Sequence, residues 1–269
     1  MVFSSFIFLC FFLPVIFLLY YLIPNKIFKN VILIIASLTF YAYGEPVYII
    51  LLIVSVFMNY LFGIILDKHK NKLVLALSVL LNIGLLVVFK YLGLIISTIN
   101  LAIPNNLNEV NIALPIGISF YTFQALSYVI DVYRGQEKSQ KNFFNLLLYI
   151  SFFPQLIAGP IVKYHDIAKQ ISERTHSPEK VRDGIYRFSV GLSKKILISN
   201  EMAKVTDSLY ALANSQFDVL SAWLAAFTYL FQIYFDFAGY SDMAIGLGRM
   251  FGFHFLDNFN FPYMSKSCQ

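Results

Sequence analysis

Two stretches of the chain place polar side chains at helical spacing inside otherwise apolar sequence. In the first, Pro115-Ile-Gly-Ile-Ser-Phe-Tyr-Thr-Phe-Gln124 continues through Ser127 to Asp131, Tyr133 and Arg134. Gln124, Ser127 and Asp131 recur three and four apart, so on a helix they share one face. A polar group in hydrocarbon is costly, so that face must look at protein or water. It either hydrogen-bonds a neighbouring helix, with Asp131 paired near the membrane surface, or it lines a cavity. The second stretch is Gln232-Ile-Tyr-Phe-Asp-Phe-Ala-Gly-Tyr-Ser-Asp242, in which Gln232, Asp236 and Gly239 share a face. Asp242 follows Asp236 by six residues, and at about 100° per residue a continuous helix turns the two carboxylates to different sides. That argues against a paired-acid site unless the helix breaks near Gly239. Cavity lining and a buried polar network both remain open for this segment.

Histidine is the usual general base for deprotonating a hydroxyl. His69 sits in a lysine-rich turn. His165 and His176 lie in a polar stretch, eleven apart and on no shared helical face, and read as surface residues; His254 follows Gly252-Phe253. No aspartate stands five residues after any of them, so the His-x4-Asp pattern is absent. Gly239-Tyr-Ser-Asp-Met243 lacks the final glycine of a nucleophile elbow. Cys10 and Cys268 match no metal-ligand spacing and form no plausible staple. The sequence thus offers no complete catalytic constellation and no metal site.

The elements that must carry these residues are membrane helices. Apolar residues make up 58% of the chain and charged residues 13%, where soluble domains carry about a quarter charged. Those proportions exclude a water-soluble fold, and a net charge of +5 in such a chain reads as loop topology rather than nucleic-acid affinity. About 20 residues cross a bilayer core. Five stretches qualify: Val2 to Ile23, read as a retained helix because no basic residue precedes it and no cleavage site follows, then Ile27 to Tyr43, Val47 to Leu66, Leu73 to Ile99 and Ile112 to Tyr133. Lys26, Lys29, Lys68, Lys70, Lys72, Arg134, Lys138 and Lys141 fall in alternate loops. Gly44-Glu45-Pro46 and the loop Asn100 to Asn111 carry no base. The positive-inside rule therefore expects the N-terminus outside.

The run Phe143 to Val162 would end outside if it crossed, yet Lys163, Lys169, Arg174, Lys180 and Arg182 follow it. It also carries Pro154, Gly159 and Pro160, and a proline removes a backbone donor that lipid cannot replace. A re-entrant or broken helix returning to the cytoplasm is expected. Ser177-Pro178 reads as N-cap and first helical residue, opening an amphipathic helix with Val181, Ile185, Phe188, Leu192 and Ile196 beside Arg182, Arg187, Lys194 and Lys195. Residues 163–200 are expected to form a cytoplasmic interfacial segment within one transmembrane domain spanning 1–269. A last stretch, Phe217 to Phe253, is long enough for a span with a bend near Gly239. The fold class is an all-α polytopic membrane protein of about six to eight membrane helices, one of them broken, plus the interfacial helix.

Five blocks carry a family resemblance: Leu114-Pro-Ile-Gly-Ile-Ser-Phe-Tyr-Thr-Phe-Gln124, Tyr128-x-x-Asp131-x-Tyr-Arg134, Phe153-Pro-Gln-Leu-Ile-Ala-Gly-Pro-Ile161, Gln232 to Asp242, and Asn258-Phe-Asn-Phe-Pro-Tyr263. In this order they resemble the membrane-bound O-acyltransferases, nearest the bacterial alginate O-acetyltransferase branch, with the teichoic-acid D-alanyl transferases next. The resemblance implies a multi-pass enzyme of the cytoplasmic membrane. Such an enzyme takes an acyl group from a donor on the cytoplasmic side, acetyl-CoA or an acyl carrier, and passes it through a tunnel to hydroxyls of an exported polysaccharide such as alginate. Accessory acylation proteins are compatible partners; no bound cofactor and no nucleic acid are expected. Gln124, Asp131, Pro154, Gly159, Pro160, Lys163, Gln232, Asp236, Ser241 and Asp242 are the candidate tunnel residues, with Lys163 placed to meet an anionic donor. None of the four histidines matches the family's catalytic position, so the chain resembles the N-terminal part of such an enzyme and is expected to be inactive alone. The alternative is a non-catalytic scaffold or partner subunit of an export or acylation complex.

Overall fold

The structure is a computed structural model that describes residues 1–102, 108, 112–157, 159, 162–212, 218–257, 259 and 262–265. Every regular element among them is helical. The chain divides into two compact units, one of Met1–Leu22, Ala158–Pro160 and Glu173–Gln269, the other of Ile23–Ile157 and Ile161–Ser172. Pro160, Cys268 and most of the loop at 100–111 lie outside the described residues.

The second unit holds α2 (Lys26–Gly44), α3 (Tyr48–Lys68), α4 (Lys72–Leu86), α5 (Leu92–Ala102), α6 (Ile118–Arg134), α7 (Phe143–Ser151) and most of α8 (Tyr164–Glu173). Three of these helices open on an asparagine cap. Asn25, Asn71 and Asn142 accept from the backbone N–H of Ile27, Leu73 and Phe144 at 2.8, 2.8 and 2.9 Å, satisfying donors that have no partner within the helix. A π turn over Val87–Tyr91 joins α4 to α5, and Lys72–Leu101 forms one apolar helical run of 30 residues.

Helix α3 is apolar on its outer face as well as on its buried one, where Leu52, Val56 and Leu66 lie. Ile50, Val54, Phe57, Leu61 and Ile65 follow one another at intervals of three and four, and all are at least 42% exposed. Ser55, Asn59 and Gly63 are buried on the opposite face. Large apolar groups outside and small or polar groups at helix contacts are the arrangement lipid favours. Asn59 and Asn82 exchange both amide hydrogen bonds, at 3.0 and 2.9 Å, joining α3 to α4 through a pair that is at most 1% exposed. The helices Lys26–Gly44, Tyr48–Lys68, Lys72–Leu101 and Val219–Met250 are long and apolar enough to cross a membrane, and Phe8–Leu22 is a shorter apolar helix. The chain is a multi-pass membrane protein.

Several expected boundaries move, each for a local reason. The first helix starts at residue 6 rather than Val2, because the Ser5 hydroxyl accepts from Phe8 N–H and starts the chain there. Pro14 has no N–H to offer Cys10, and the preceding turn, Phe8–Phe12, widens to a π turn in which Leu13 N–H reaches Phe8 O before α1 (Leu13–Leu22) continues. The predicted span from Ile112 begins at Ile118, since Gly117 takes φ +76° and Pro115 precedes it. The run from Phe143 is broken, as its prolines imply. Helix α7 ends at Ser151 after nine residues, about 14 Å, too short to cross a bilayer.

The first unit adds α9 (Pro178–Ser193), α10 (Asn200–Tyr210) and α11 (Val219–Met250). Ser177 caps α9 through Lys180 N–H at 3.3 Å, with Pro178 at the first helical position. A π turn over Lys194–Ser199 joins α9 to α10. No break interrupts the helix near Gly239: α11 runs unbroken for 32 residues. Gly239 serves instead as a close-contact point between helices. A Cβ on Gly239 would fall 2.8 Å from Gly191 O, and one on Gly246 would fall 2.6 Å from Gly184 O. Gly184 pairs with Gly246 and Gly191 with Gly239, so α9 and α11 run antiparallel along two glycine contacts seven residues apart.

Candidate functional site

The candidate residues of the second unit gather around α6 and the broken end of α7. Gln124 and Asp131 are 3% and 6% exposed, and Ser127, on the same face, is half-buried. After α7 ends, residues 152–156 stay buried in a single turn, in which Phe152 O accepts from Gln155 and Leu156 N–H at 3.0 and 3.1 Å. Side chains tie this turn to its surroundings. Ser37 of α2 accepts from Phe153 N–H at 3.1 Å, Gln155 donates its amide to Tyr149 O, and the Tyr149 hydroxyl donates to Val162 O at 2.8 Å. Irregular backbone in a membrane protein is tolerated where protein or a wet cavity surrounds it, and this turn meets that condition. Pro154 is buried inside it, and Gly117, at the start of α6, lies so close that a Cβ there would fall 2.7 Å from Leu156 O.

Asp131 Oδ2 lies 3.7 Å from His165 Nδ1, and His165 Nε2 lies 3.0 Å from Asp166 Oδ1. His165 is therefore not an isolated surface residue: α8 carries it to the end of α6, with a carboxylate facing each ring nitrogen. Beside it, burial pushes the Tyr164 phenol up from its ordinary value, against a hydrogen bond from Gln140 that acts the other way. Lys163 is exposed one residue before α8. Thr122 Oγ1, Gln124 Oε1 and Gln155 Oε1 are buried polar atoms with no hydrogen-bond partner among the described residues.

The candidates on α11, in the first unit, meet cations of the α9 segment. Lys195 pairs with Asp236, while Asp242 takes Lys194 at 2.6 Å and Arg187 at 3.0 Å. Arg187 also reaches Asp257 at 2.5 Å. The two aspartates thus bind different cations from one unbroken helix, as their six-residue spacing requires, and form no acid pair. Ser199 donates to Gln232 O at 3.0 Å, so Gln232, Asp236 and Gly239 all face the α9–π segment. Ser241 is buried mid-helix, with no strand or turn that a nucleophile elbow needs, and Gly159 is buried.

Some of this went unseen in the sequence. His176, read as a surface residue, accepts or donates at 2.7 Å to the buried Tyr20 hydroxyl, which also takes Arg174 Nε–H at 2.7 Å. The Arg174 guanidinium lies over the Phe253 ring at 4.8 Å. Nothing in local spacing joins residues 20, 174 and 253. The seven-residue repeats Gly184/Gly191 and Gly239/Gly246 were a signal available to be read. No group of histidine, cysteine and carboxylate side chains suited to a metal occurs among the described residues.

Comparison with known proteins gives this geometry a family. Residues 136–267 match the model of the membrane-bound O-acyltransferase family, MBOAT. The chain is 41% identical to a probable alginate O-acetylase, AlgI, of Pseudomonas syringae pv. tomato over 99% of its own length and 53% of the relative's. It is 32% identical to the peptidoglycan O-acetyltransferase of Helicobacter pylori over 100% of its length and 58% of that protein. A teichoic acid D-alanyltransferase of Bacillus subtilis is 29% identical over 57% of this chain and 40% of its own. The chain spans about half the length of the curated relatives it matches. Through the similarity along its whole length and its membrane helices, the chain belongs to the membrane-bound O-acyltransferase family.

Proposed function

We propose that these residues form the donor-side part of an O-acetyltransferase of the cytoplasmic membrane that modifies hydroxyls of an exported polysaccharide such as alginate. The observation that carries the reading is the set of unpartnered buried polar atoms on Thr122, Gln124 and Gln155 beside irregular backbone. Such atoms are expected where an apolar scaffold walls a wet passage. Gln124, Asp131 and Pro154 line that passage, and Lys163 meets an anionic acyl donor, acetyl-CoA or an acyl carrier, from the cytoplasm. Asp236 and Asp242, through Lys195, Lys194 and Arg187, tie α11 to the α9 segment. In the reaction an acceptor hydroxyl oxygen bonds to the thioester carbonyl carbon, the C–S bond breaks, the thiol leaves and the hydroxyl proton passes to a base. A positioned base contributes about 10²- to 10⁴-fold. None of the four histidines matches the family's catalytic position, so the 269 residues alone are proposed to transfer no acyl group.

The test is a chimera in which residues 1–269 replace the matching part of the Pseudomonas syringae relative. The chimera, in lipid, should move labelled acetyl from acetyl-CoA or an acetylated carrier to alginate, the 269-residue chain should not, and Lys163→Ala in the chimera should lower donor use more than protein level. A chimera that inserts but acetylates nothing would overturn the proposal. So would transfer by the 269-residue chain above a lipid-only control and abolished by His254→Ala.

A further inference from the structure

Away from the buried polar face, the second unit has an open cleft of about 280 Å³ bounded by the first turns of α2, the start of α7 and the end of α8. Its polar residues include Lys26, Asn30 and Asn142, and its apolar wall includes Ile27, Val31 and Phe144. No carboxylate is among the residues that line it, so its one charged side chain is a cation. Ile27, Val31 and Phe144 are 72%, 41% and 62% exposed. Ile27 and Val31 are four residues apart and form a stripe that leaves Lys26 and runs down α2, a helix long enough to cross the membrane. Lys26 is the first residue of that helix, so the cleft lies at one end of a candidate span.

The polar groups are specific in what they still offer. Asn142 uses its Oδ1 to cap α7, so its amide N–H groups are what it can present. Asn30 gives its amide to Ile171 O at 3.2 Å, and its buried Oδ1 has no partner among the described residues. A fitting ligand therefore has an anionic group for Lys26 and Asn142, a hydroxyl donor for Asn30 and a hydrocarbon chain for Ile27 and Val31. A soluble phosphate compound would satisfy the first two and leave the apolar stripe bare. We propose that the cleft binds one anionic glycerophospholipid of the phosphatidylglycerol type, with its phosphate on Lys26, its headgroup hydroxyl on Asn30 Oδ1 and one acyl chain along α2. This site is separate from the proposed acyl passage and does not depend on it.

Native mass spectrometry of the full 269-residue chain in detergent, titrated with phosphatidylglycerol or phosphatidylcholine, tests the assignment. One phosphatidylglycerol should be retained in preference to phosphatidylcholine. Lys26→Ala should reduce that preference about fivefold, the effect of one lysine on anionic lipid, and Lys26→Arg should keep it. Asn30→Leu, should Lys26→Ala fail to fold, should lower retention of phosphatidylglycerol but not of phosphatidylcholine. Val31→Trp, which fills the cleft, should lower retention at an unchanged melting temperature. Equal retention of the two lipids, or unchanged preference in the folded Lys26→Ala or Asn30→Leu variant, would overturn the proposal. Displacement of the lipid by millimolar glycerol phosphate would overturn it too, identifying a site for a soluble phosphate instead.

Discussion

A methyl group on Gly63 would overlap the ring of Tyr128, a fully buried residue whose hydroxyl accepts from Gln140 N–H at 3.1 Å and whose ring lies edge-on to Tyr164 at 4.8 Å. With the ring fixed at both ends it cannot swing aside, so Gly63→Ala should destabilise the second unit by about 1–3 kcal/mol, read as a fall in melting temperature in detergent. Tyr128→Phe in the same background should recover little, because the ring atoms and not only the hydroxyl collide. The same scale shows what sequence spacing can tell. Gln124 and Asp131 were legible because a polar residue in an apolar helix must be explained, and both proved buried on the expected face. His165 was not, since the partner that defines it, Asp131, is 34 residues away on another helix.

At the scale of elements, α9 and α11 meet backbone to backbone. Gly246 has Gly184 O and Phe188 N each 2.6 Å from where its Cβ would be, and backbone cannot rotate away as a side chain can. Gly246→Val should therefore separate the two helices and lower the melting temperature more than Gly84→Val, since nothing lies within 4 Å of a Cβ on Gly84. Helix α11 also starts on a titratable cap. Hydrogen bonds from Ser221 hold the Asp218 carboxyl below its ordinary value near 3.8. A depressed carboxylate contributes stability that is present above its unfolded pKa and lost as pH falls through its folded one. Protection of the Ser221 amide, measured against its intrinsic exchange rate at each pH, should accordingly fall on acidification below about pH 4 in the native chain, while Asp218→Asn, which keeps an acceptor, should show no such dependence.

For the whole molecule, the charge pattern expects the N-terminus outside and residues 163–182 in the cytoplasm. With the native cysteines replaced, Lys169→Cys, exposed on α8, should resist an impermeant thiol reagent in intact cells, and Pro46→Cys should react. External labelling at position 169 would mean that the run from Phe143 leads across the membrane. Helix existence was readable over most of this architecture, because 20-residue apolar runs bounded by Lys, Asn and Pro leave few alternatives. Helix ends and bends were less so. Gly239 was read as a hinge from its own chemistry, whereas its role is fixed by Gly191, 48 residues earlier, and no local pattern records that neighbour.

The charged seam of the first unit has a direction in time. Arg187, Lys194 and Lys195 leave the ribosome before their partners Asp242 and Asp236, by 55, 48 and 41 residues. For that interval the newborn chain holds three cations that nothing yet neutralises, and a charge so placed resists entry into hydrocarbon. The two glycine contacts then let α11 close onto α9. The late helix α11 thus supplies the carboxylates that the earlier α9 segment meets.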